Sequence, residues 1–369
     1  MTRAARYREE LLDNIIPFWM KHAVDHEYGG FWTCLDRAGQ VFDDRKYVWM
    51  NGRLIWMLSK LYRTVAPRVE WLSAAQAGAQ FLRQHVYDAQ GRCYFGLTRM
   101  GTPSGYQRKP YSGLFVMLGL LELSKATGDA ALRAESVNLF WRVKSWIEEP
   151  SLLGRPQFGP PASQLADIYA LALMSLELSE ASDDGRYLAI MAECFTKARV
   201  HLQNGVLLET VAPLSTPEGR LFCPGSSFET AWILLRLNPD TATEKWLLDI
   251  IEATMGYWDE GFAYFIDIEG RPTLQLESSQ RLWWVHVEAL VALAHAYDRT
   301  QDPKWLTWFD QVDAWTWKHF RDPEYGEWFG YLDKHGQPEL TLKGNHYKGC
   351  FHIPRALLYC SEIWERHGL

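Results

Sequence analysis

Four stretches of the chain are apolar around most of a helical circumference: 49–63 (WMNGRLIWMLSKLYR), 111–126 (YSGLFVMLGLLELSKA), 163–180 (SQLADIYALALMSLELSE) and 282–298 (LWWVHVEALVALAHAYD). A surface helix carries one apolar stripe, so these four are predicted to be covered on two sides. A second pattern recurs between them. Residues 25–39 read DHEYGGFWTCLDRAG and residues 322–336 read DPEYGEWFGYLDKHG, with looser copies at 88–101 and 259–270. Each sets aromatic and apolar residues between Gly and Asp turns, which predicts a short β-hairpin. The copies at 25 and 88 are 63 positions apart, as are those at 259 and 322. Units of about 60 residues, each helix–hairpin–helix, imply about six in this length. An open solenoid would need polar capping repeats at both ends, and none is evident. The expected fold is therefore all-α, a closed (α/α)6 barrel with short β-hairpins in the connecting loops. Residues 1–369 read as one domain, although the copies near 150 and 210 are too degenerate to assign.

Inner helices of such a barrel surround a cavity, so polar residues that interrupt them are the functional candidates. Arg53 interrupts the first apolar helix, and His286 and Glu288 interrupt the fourth just after Trp283 and Trp284. A buried unpaired carboxylate is costly, so Glu288 should be paired or face a wet cavity. In EGRLFCPGSSFETAWILL, residues 218–235, Ser226 and Glu229 open a helix; a capping box is the competing explanation for their spacing. A buried Arg53 would pair with Glu229 or Glu288. His352, in LTLKGNHYKGCFHIPR, stands just before Pro354 and Arg355 at an expected helix start. A lone histidine in apolar surroundings is more often structural than catalytic.

No P-loop, dinucleotide fingerprint or serine-hydrolase elbow is present, and His346 and His352 lack a recurring ligand spacing, so no metal is expected. A formal charge of −7 offers no attraction for nucleic acid or an anionic membrane. Six cysteines without a C-x-x-C pair suggest a reduced, cytoplasmic protein. The charged, helix-periodic N-terminal residues lack a signal-peptide core, so no export is expected. Aromatic residues reach 14%, including 18 Trp. Large amphipathic rings in a cleft suit the apolar faces of sugars, although most of these will simply be core.

These segments together resemble the N-acylglucosamine 2-epimerase family. VWMNGRLIW is similar to the family's VWxQGRxxW, with Asn51 in place of Gln. RLWWVHVEA resembles its K-x-W-W-P-H-x-E-A, and GEWFGYLDKHG with LTLKGNHYKGCFHIPRAL resembles its C-terminal signature. The likeness runs from about residue 14 to 361, and His286 with KGCFHIPR favours the N-acylglucosamine branch over cellobiose 2-epimerases. One departure stands out. Against the family's G-R-x-x-N-P-G-H-x-x-E-x-x-W, residues 219–232 read GRLFCPGSSFETAW: Glu229 and Trp232 match, while Cys223 and Ser226 replace Asn and His.

The resemblance implies an (α/α)6 barrel and a sugar epimerase that deprotonates and reprotonates carbon 2, interconverting N-acylglucosamine and N-acylmannosamine. It implies His352 as an acid/base, with His286, Glu229 and Glu288 also in catalytic roles. Arg53, Ser226, Trp232, Trp284 and Trp328 would bind substrate, the last two by stacking on the sugar. No cofactor is needed for the chemistry. A small-molecule sugar as the partner, a homodimer and ATP as an allosteric effector follow only from the resemblance. Imidazole suits proton transfer on both faces because its pKa of about 6.5 lies near neutrality. A serine hydroxyl needs a neighbouring base to do the same work. Ser226 therefore leaves three readings: His286 as second acid/base, a one-base aldose–ketose isomerase, or a sugar-binding protein without turnover. A glycoside hydrolase would need two carboxylates about 5–10 Å apart across the ligand, and Glu229 with Glu288 is the pair available.

Overall fold

The computed structural model describes residues 1–156 and 162–369. The N-terminal helical stretch consists of α1 (Arg3–Glu9), a π-helical turn (Glu10–Ile15) and α2 (Ile16–His22). It is followed by α3 (Val48–Thr64), α4 (Val69–His85), α5 (Tyr111–Thr127), α6 (Ala130–Glu148) and α7 (Leu165–Ser179). Then come α8 (Gly185–Val200), α9 (Pro224–Leu235), α10 (Thr241–Met255), α11 (Trp283–Thr300), α12 (Pro303–Phe320) and α13 (His352–Arg366). Together they form an (α/α)6 barrel.

The apolar circumference decides which helices lie inside. Every residue of α5 from Ser112 to Ser124 is buried, whereas α4 buries a stripe formed by Trp71, Ala74, Ala75, Gly78, Ala79, Phe81 and Leu82. Accordingly α3, α5, α7, α9, α11 and α13 pack on one another in sequence as an inner ring. Each inner helix is backed by an outer one, α13 by the N-terminal stretch. The inner ring closes where Phe351, at the start of α13, meets Trp56 of α3 with ring centroids 5.4 Å apart. The outer ring closes where the Tyr7 hydroxyl of α1 donates to Asp313 of α12 at 2.6 Å. With first and last helices joined, no end of the array needs a polar cap.

Short strands sit at the rim where the inner helices begin. The strand before α3 (Lys46–Tyr47) pairs with the next unit's hairpin at Gly96–Leu97, and the strand before α11 (Arg281–Leu282) pairs with Tyr331–Leu332. The repeated sentence in the sequence has a physical counterpart. Asp25 holds Lys46 at 2.8 Å and Asp322 holds Lys343 at 2.8 Å, both pairs fully buried. Each aspartate also receives an arginine from the adjoining hairpin, Arg99 to Asp25 and Arg37 to Asp322. Turn glycines Gly39, Gly101 and Gly336 adopt positive φ against the rings of His22, His85 and His319, where a Cβ would collide. These devices tie neighbouring units at the rim and hold the helix starts in place.

The degenerate copy near 210 is a real hairpin: Leu202–Gln203 pairs with Val206–Leu207 across Asn204 and Gly205. The copy near 150 shows a 3-10 turn at Pro150–Leu153, with 157–161 outside the described residues.

Candidate active site

Helical spacing brings the candidates to the barrel axis. Residues three or four apart share a helix face. On α9 that face carries Ser226, Glu229 and Trp232; on α11, Trp284 and Glu288; on α13, His352 and Arg355; on α3, Trp49 and Arg53. The three helices α9, α11 and α13 meet at Arg355. Its Nη2 donates to Glu229 Oε1 at 2.7 Å and to Glu288 Oε1 at 2.5 Å. Glu288 Oε1 also lies 2.7 Å from His352 Nδ1, and Glu288 Oε2 accepts the Trp232 indole N–H at 2.8 Å. One carboxylate therefore joins a guanidinium, an imidazole and an indole.

Charge at this centre is unevenly held. Burial pulls the His352 pKa well below its ordinary value; the nearby Arg53 and Arg355 guanidinium groups push the same way, against the opposing pull of Glu229. The ring is neutral at pH 7. With Nδ1–H directed at Glu288, Nε2 keeps a free lone pair. Burial, and then the charge of Glu288, raise the Glu229 carboxyl, while Arg355 and His352 restrain the rise. Arg53 lies across the recess with its guanidinium over three rings, 4.1 Å from Phe115, 4.7 Å from Trp49 and 4.9 Å from Phe351. Burial pulls it down to about 9, so it stays charged at pH 7. Its Nε is buried without a partner among the described residues, leaving a donor available to a ligand. Trp284 is half-buried beside His352, ring centroids 5.8 Å apart.

Several sequence expectations change. Arg53 forms no ion pair among the described residues; Arg355, three positions after His352, is the partner of both Glu229 and Glu288. Glu229, Glu288 and His352 offer ligand atoms within 4.8 Å of one another, but Arg355 already sets a cation among them. That same clustering leaves no space for a glycosidic bond between the two carboxylates. Ser226 and Glu229 form no capping box, because α9 starts at Pro224 and has no side-chain cap. Trp232 is fully buried and braces Glu288, so it does not meet a sugar. Trp328 is likewise remote: its indole donates to Glu10 at 2.8 Å and its ring packs on Trp317 in the outer ring.

His286 is not brought to the group. It stands two residues, about 200° of helix, before Glu288, so it faces α12 when Glu288 faces the axis. Its Nδ1–H donates to the Leu282 carbonyl at 2.8 Å, and Nε2 accepts the Phe262 N–H at 3.0 Å. The ring stacks on Trp315 at 4.7 Å, and burial holds its pKa down to about 3. With both nitrogens engaged by backbone, no proton or lone pair remains for a substrate.

Two contributors escaped the sequence reading. Arg355 was visible in HIPR as a residue one helical turn from His352. Glu209 had no such signal, because it lies outside any helix. Its backbone N–H donates to Leu221 O at 2.9 Å and its carbonyl accepts the Leu165 N–H at 2.9 Å. Those bonds place it beside Ser226, between the strand entering α9 and the start of α7.

The family model described as N-acylglucosamine 2-epimerase (GlcNAc 2-epimerase) matches residues 30–355. N-acylglucosamine 2-epimerase from Bos taurus is 41% identical over 95% of this chain and 89% of its own length. The Homo sapiens protein of the same name is 38% identical over 95% of this chain and 88% of its own. Among solved structures, cellobiose 2-epimerase from Spirochaeta thermophila aligns with a TM-score of 0.85 at 22% identity, covering 99% of this chain and 97% of that one. A D-mannose isomerase aligns with a TM-score of 0.83 at 18% identity, covering 98% of both chains. At these identities the structural matches show the fold.

Proposed function

Because the chain belongs to the N-acylglucosamine 2-epimerase family, we propose that it interconverts N-acylglucosamine and N-acylmannosamine by moving the proton on carbon 2, with His352 as one proton carrier. The observation that carries this reading is the chain from Arg355 through Glu288 to His352. An imidazole takes a proton from carbon beside an aldehyde only if it is neutral beforehand and its cation is stabilised afterwards. Burial and the two guanidinium groups supply the first condition. Glu288, fixed by Arg355 and Trp232, supplies the second by accepting Nδ1–H throughout.

In the open-chain sugar, Nε2 of His352 takes the carbon-2 proton, and the electron pair moves toward the carbonyl to form an enolate whose carbon 2 bears the acylamino group. Arg53, charged in apolar surroundings with an unused Nε–H, opposes the developing negative oxygen. Glu229, restrained by Arg355 but retaining one carboxyl oxygen, binds a sugar hydroxyl. Trp284 offers its face to the sugar beside the imidazole. Proton transfer in this scheme involves no metal or organic cofactor. A cytoplasmic location, supported by six buried free cysteines, a homodimer and an ATP effector belong to the same proposal. No helix among the described residues is long and apolar enough to cross a membrane.

Proton NMR of N-acetylglucosamine in deuterium oxide with the protein tests the reading. Loss of the carbon-2 proton with appearance of the mannosamine epimer is expected. His352→Asn should lower that rate by about a thousandfold or more, within the range of general base catalysis, while leaving sugar binding largely intact. Silence from the wild type toward both epimers would overturn the proposal.

A further inference from the structure

Inversion at carbon 2 requires a proton donor on the face opposite the base, and His352 occupies one face alone. The family position for a second imidazole holds Ser226, and His286 is sealed against backbone. Among the described residues, the carboxyl of Glu209 is a further group able to exchange protons. Glu209 is bonded through its backbone to Leu165, the first residue of α7. In the inner ring α7 is three helices from α13 in either direction, so the backbone of Glu209 is anchored across the ring from the helix that carries His352.

The surroundings of Glu209 differ from those of the other carboxyls at the axis. Glu229 and Glu288 share Arg355. Glu209 forms no ion pair among the described residues; the groups around it are the Ser226 hydroxyl, the Cys223 thiol and the phenols of Tyr111, Tyr169 and Tyr264. Its Oε1 is buried without a partner. Tyr169 senses both Glu229 and Glu209, which puts the two carboxyls on one recess, and Tyr264 stands 6.0 Å from Trp284 at its wall. Burial raises the Glu209 pKa to about 7, against a smaller downward pull from Ser226. A carboxyl in that condition is present in both forms at neutral pH, as an acid/base pair must be.

We propose that Glu209 is the second acid/base of the epimerisation, exchanging the carbon-2 proton on the face opposite His352, with Ser226 leaving room for the carboxyl and positioning it. The inference rests on the epimerase reading above. Starting from one epimer, Nε2 of His352 takes the carbon-2 proton while the carbon-1 carbonyl becomes an enolate oxygen. The Glu209 carboxyl then delivers its proton to carbon 2 from the other side, and the carbonyl re-forms. His352 ends protonated and Glu209 ionised. Solvent exchange resets both, and the reverse reaction uses them in opposite order.

Glu209→Gln keeps size and hydrogen bonding but removes the exchangeable proton. Epimer formation should fall by about a hundredfold or more. Deuterium should still enter carbon 2 of the one epimer whose proton faces His352, and of that epimer alone. Adding Ser226→His to this variant should restore epimer formation at least tenfold. Unchanged turnover in Glu209→Gln would overturn the inference, as would loss of exchange from both epimers with sugar binding intact. Should the variant fail to fold, the wild type still decides. Its epimerisation rate must show a limb near pH 7 that is missing from the exchange carried by His352 alone, and a flat profile there refutes the role. Silence of the wild type toward both sugars is a different outcome, and it strikes the epimerase reading itself.

Discussion

Arg355→Met replaces the shared cation at the barrel axis with an apolar chain of similar length. Arg355 is 1% exposed, and Glu229 and Glu288 are 5% and 0% exposed, so water cannot reach in to solvate what is left. Removing one partner of a buried ion pair costs about 3–5 kcal/mol, because the remaining charge stays buried and uncompensated. Unfolding entropy is about 2 cal/mol/K per residue, which for a chain of 369 residues converts this to a melting shift of about 4–7 °C. The deficit should depend on pH in a stated direction. Without the guanidinium that restrains it, the Glu229 carboxyl, already raised by burial, binds a proton in the native state more readily than in the unfolded chain. Native stability of the variant then falls as pH rises above the ordinary carboxylate range, and the gap to wild type widens. Calorimetric melts of both proteins between pH 5 and pH 8 measure this. A variant melting within about 1 °C of wild type, or a gap that is constant over that range, would refute the account of Arg355 as the ion that holds the site. Turnover should fall as well, because Glu288 loses the contact that fixes it against His352.

Other consequences are simpler to state. His286→Gln should lower the melting temperature by a few degrees, since a buried ring stacked on Trp315 is lost, yet leave kcat within about threefold; a collapse of turnover without loss of stability would return His286 to the chemistry. Asp25 sits at about 2 because, although burial opposes it, the bonds from Lys46 and Arg99 pull it down from 3.8. That depression gives stability that is present above pH 4 and is lost as pH falls toward 2. Asp25→Asn should therefore flatten the acid limb of a stability–pH curve, and an unchanged limb would show that the rim pair contributes nothing there.

Much of the architecture can be read from local pattern. Helices with an apolar circumference had to be inside, and α5 is the plainest example. The hairpin signals at 25, 88 and 322 lead into strand pairs beside the ties built on Asp25 and Asp322. The one at 259 is corrected to a single short strand, Ile266–Asp267, paired with Leu221–Phe222 and tied through Asp267 to Arg220. The Asn204–Gly205 hairpin carries the strongest short turn signal there is, in residues whose flanks are too irregular to match the other copies. Polar residues that break an apolar helix, Arg53, Glu229 and Glu288, come to the axis because any other direction would strand a charge in packed hydrocarbon.

What each of those residues touches was a different matter. Arg53 and Arg355 are equally plausible ion-pair partners in one dimension. Only the docking of α13 against α9 and α11 gives both carboxylates to Arg355 and leaves Arg53 on aromatic rings. His286 and Glu288 differ by two positions on one helix, and the rotation of α11 sends one to the axis and the other into the outer layer. Glu209 belongs to no periodic segment, so nothing local marks it. Its place beside Ser226, and the burial that raises its pKa, come from α7, α9 and the loop carrying Tyr264. Sequence periodicity determines which face of an element seeks the core, because that depends on residues a few positions apart. Partner choice and proton affinity depend on groups from other helices, such as Glu288 at 67 and Glu229 at 126 positions from Arg355, and only the closed ring decides which of them meet.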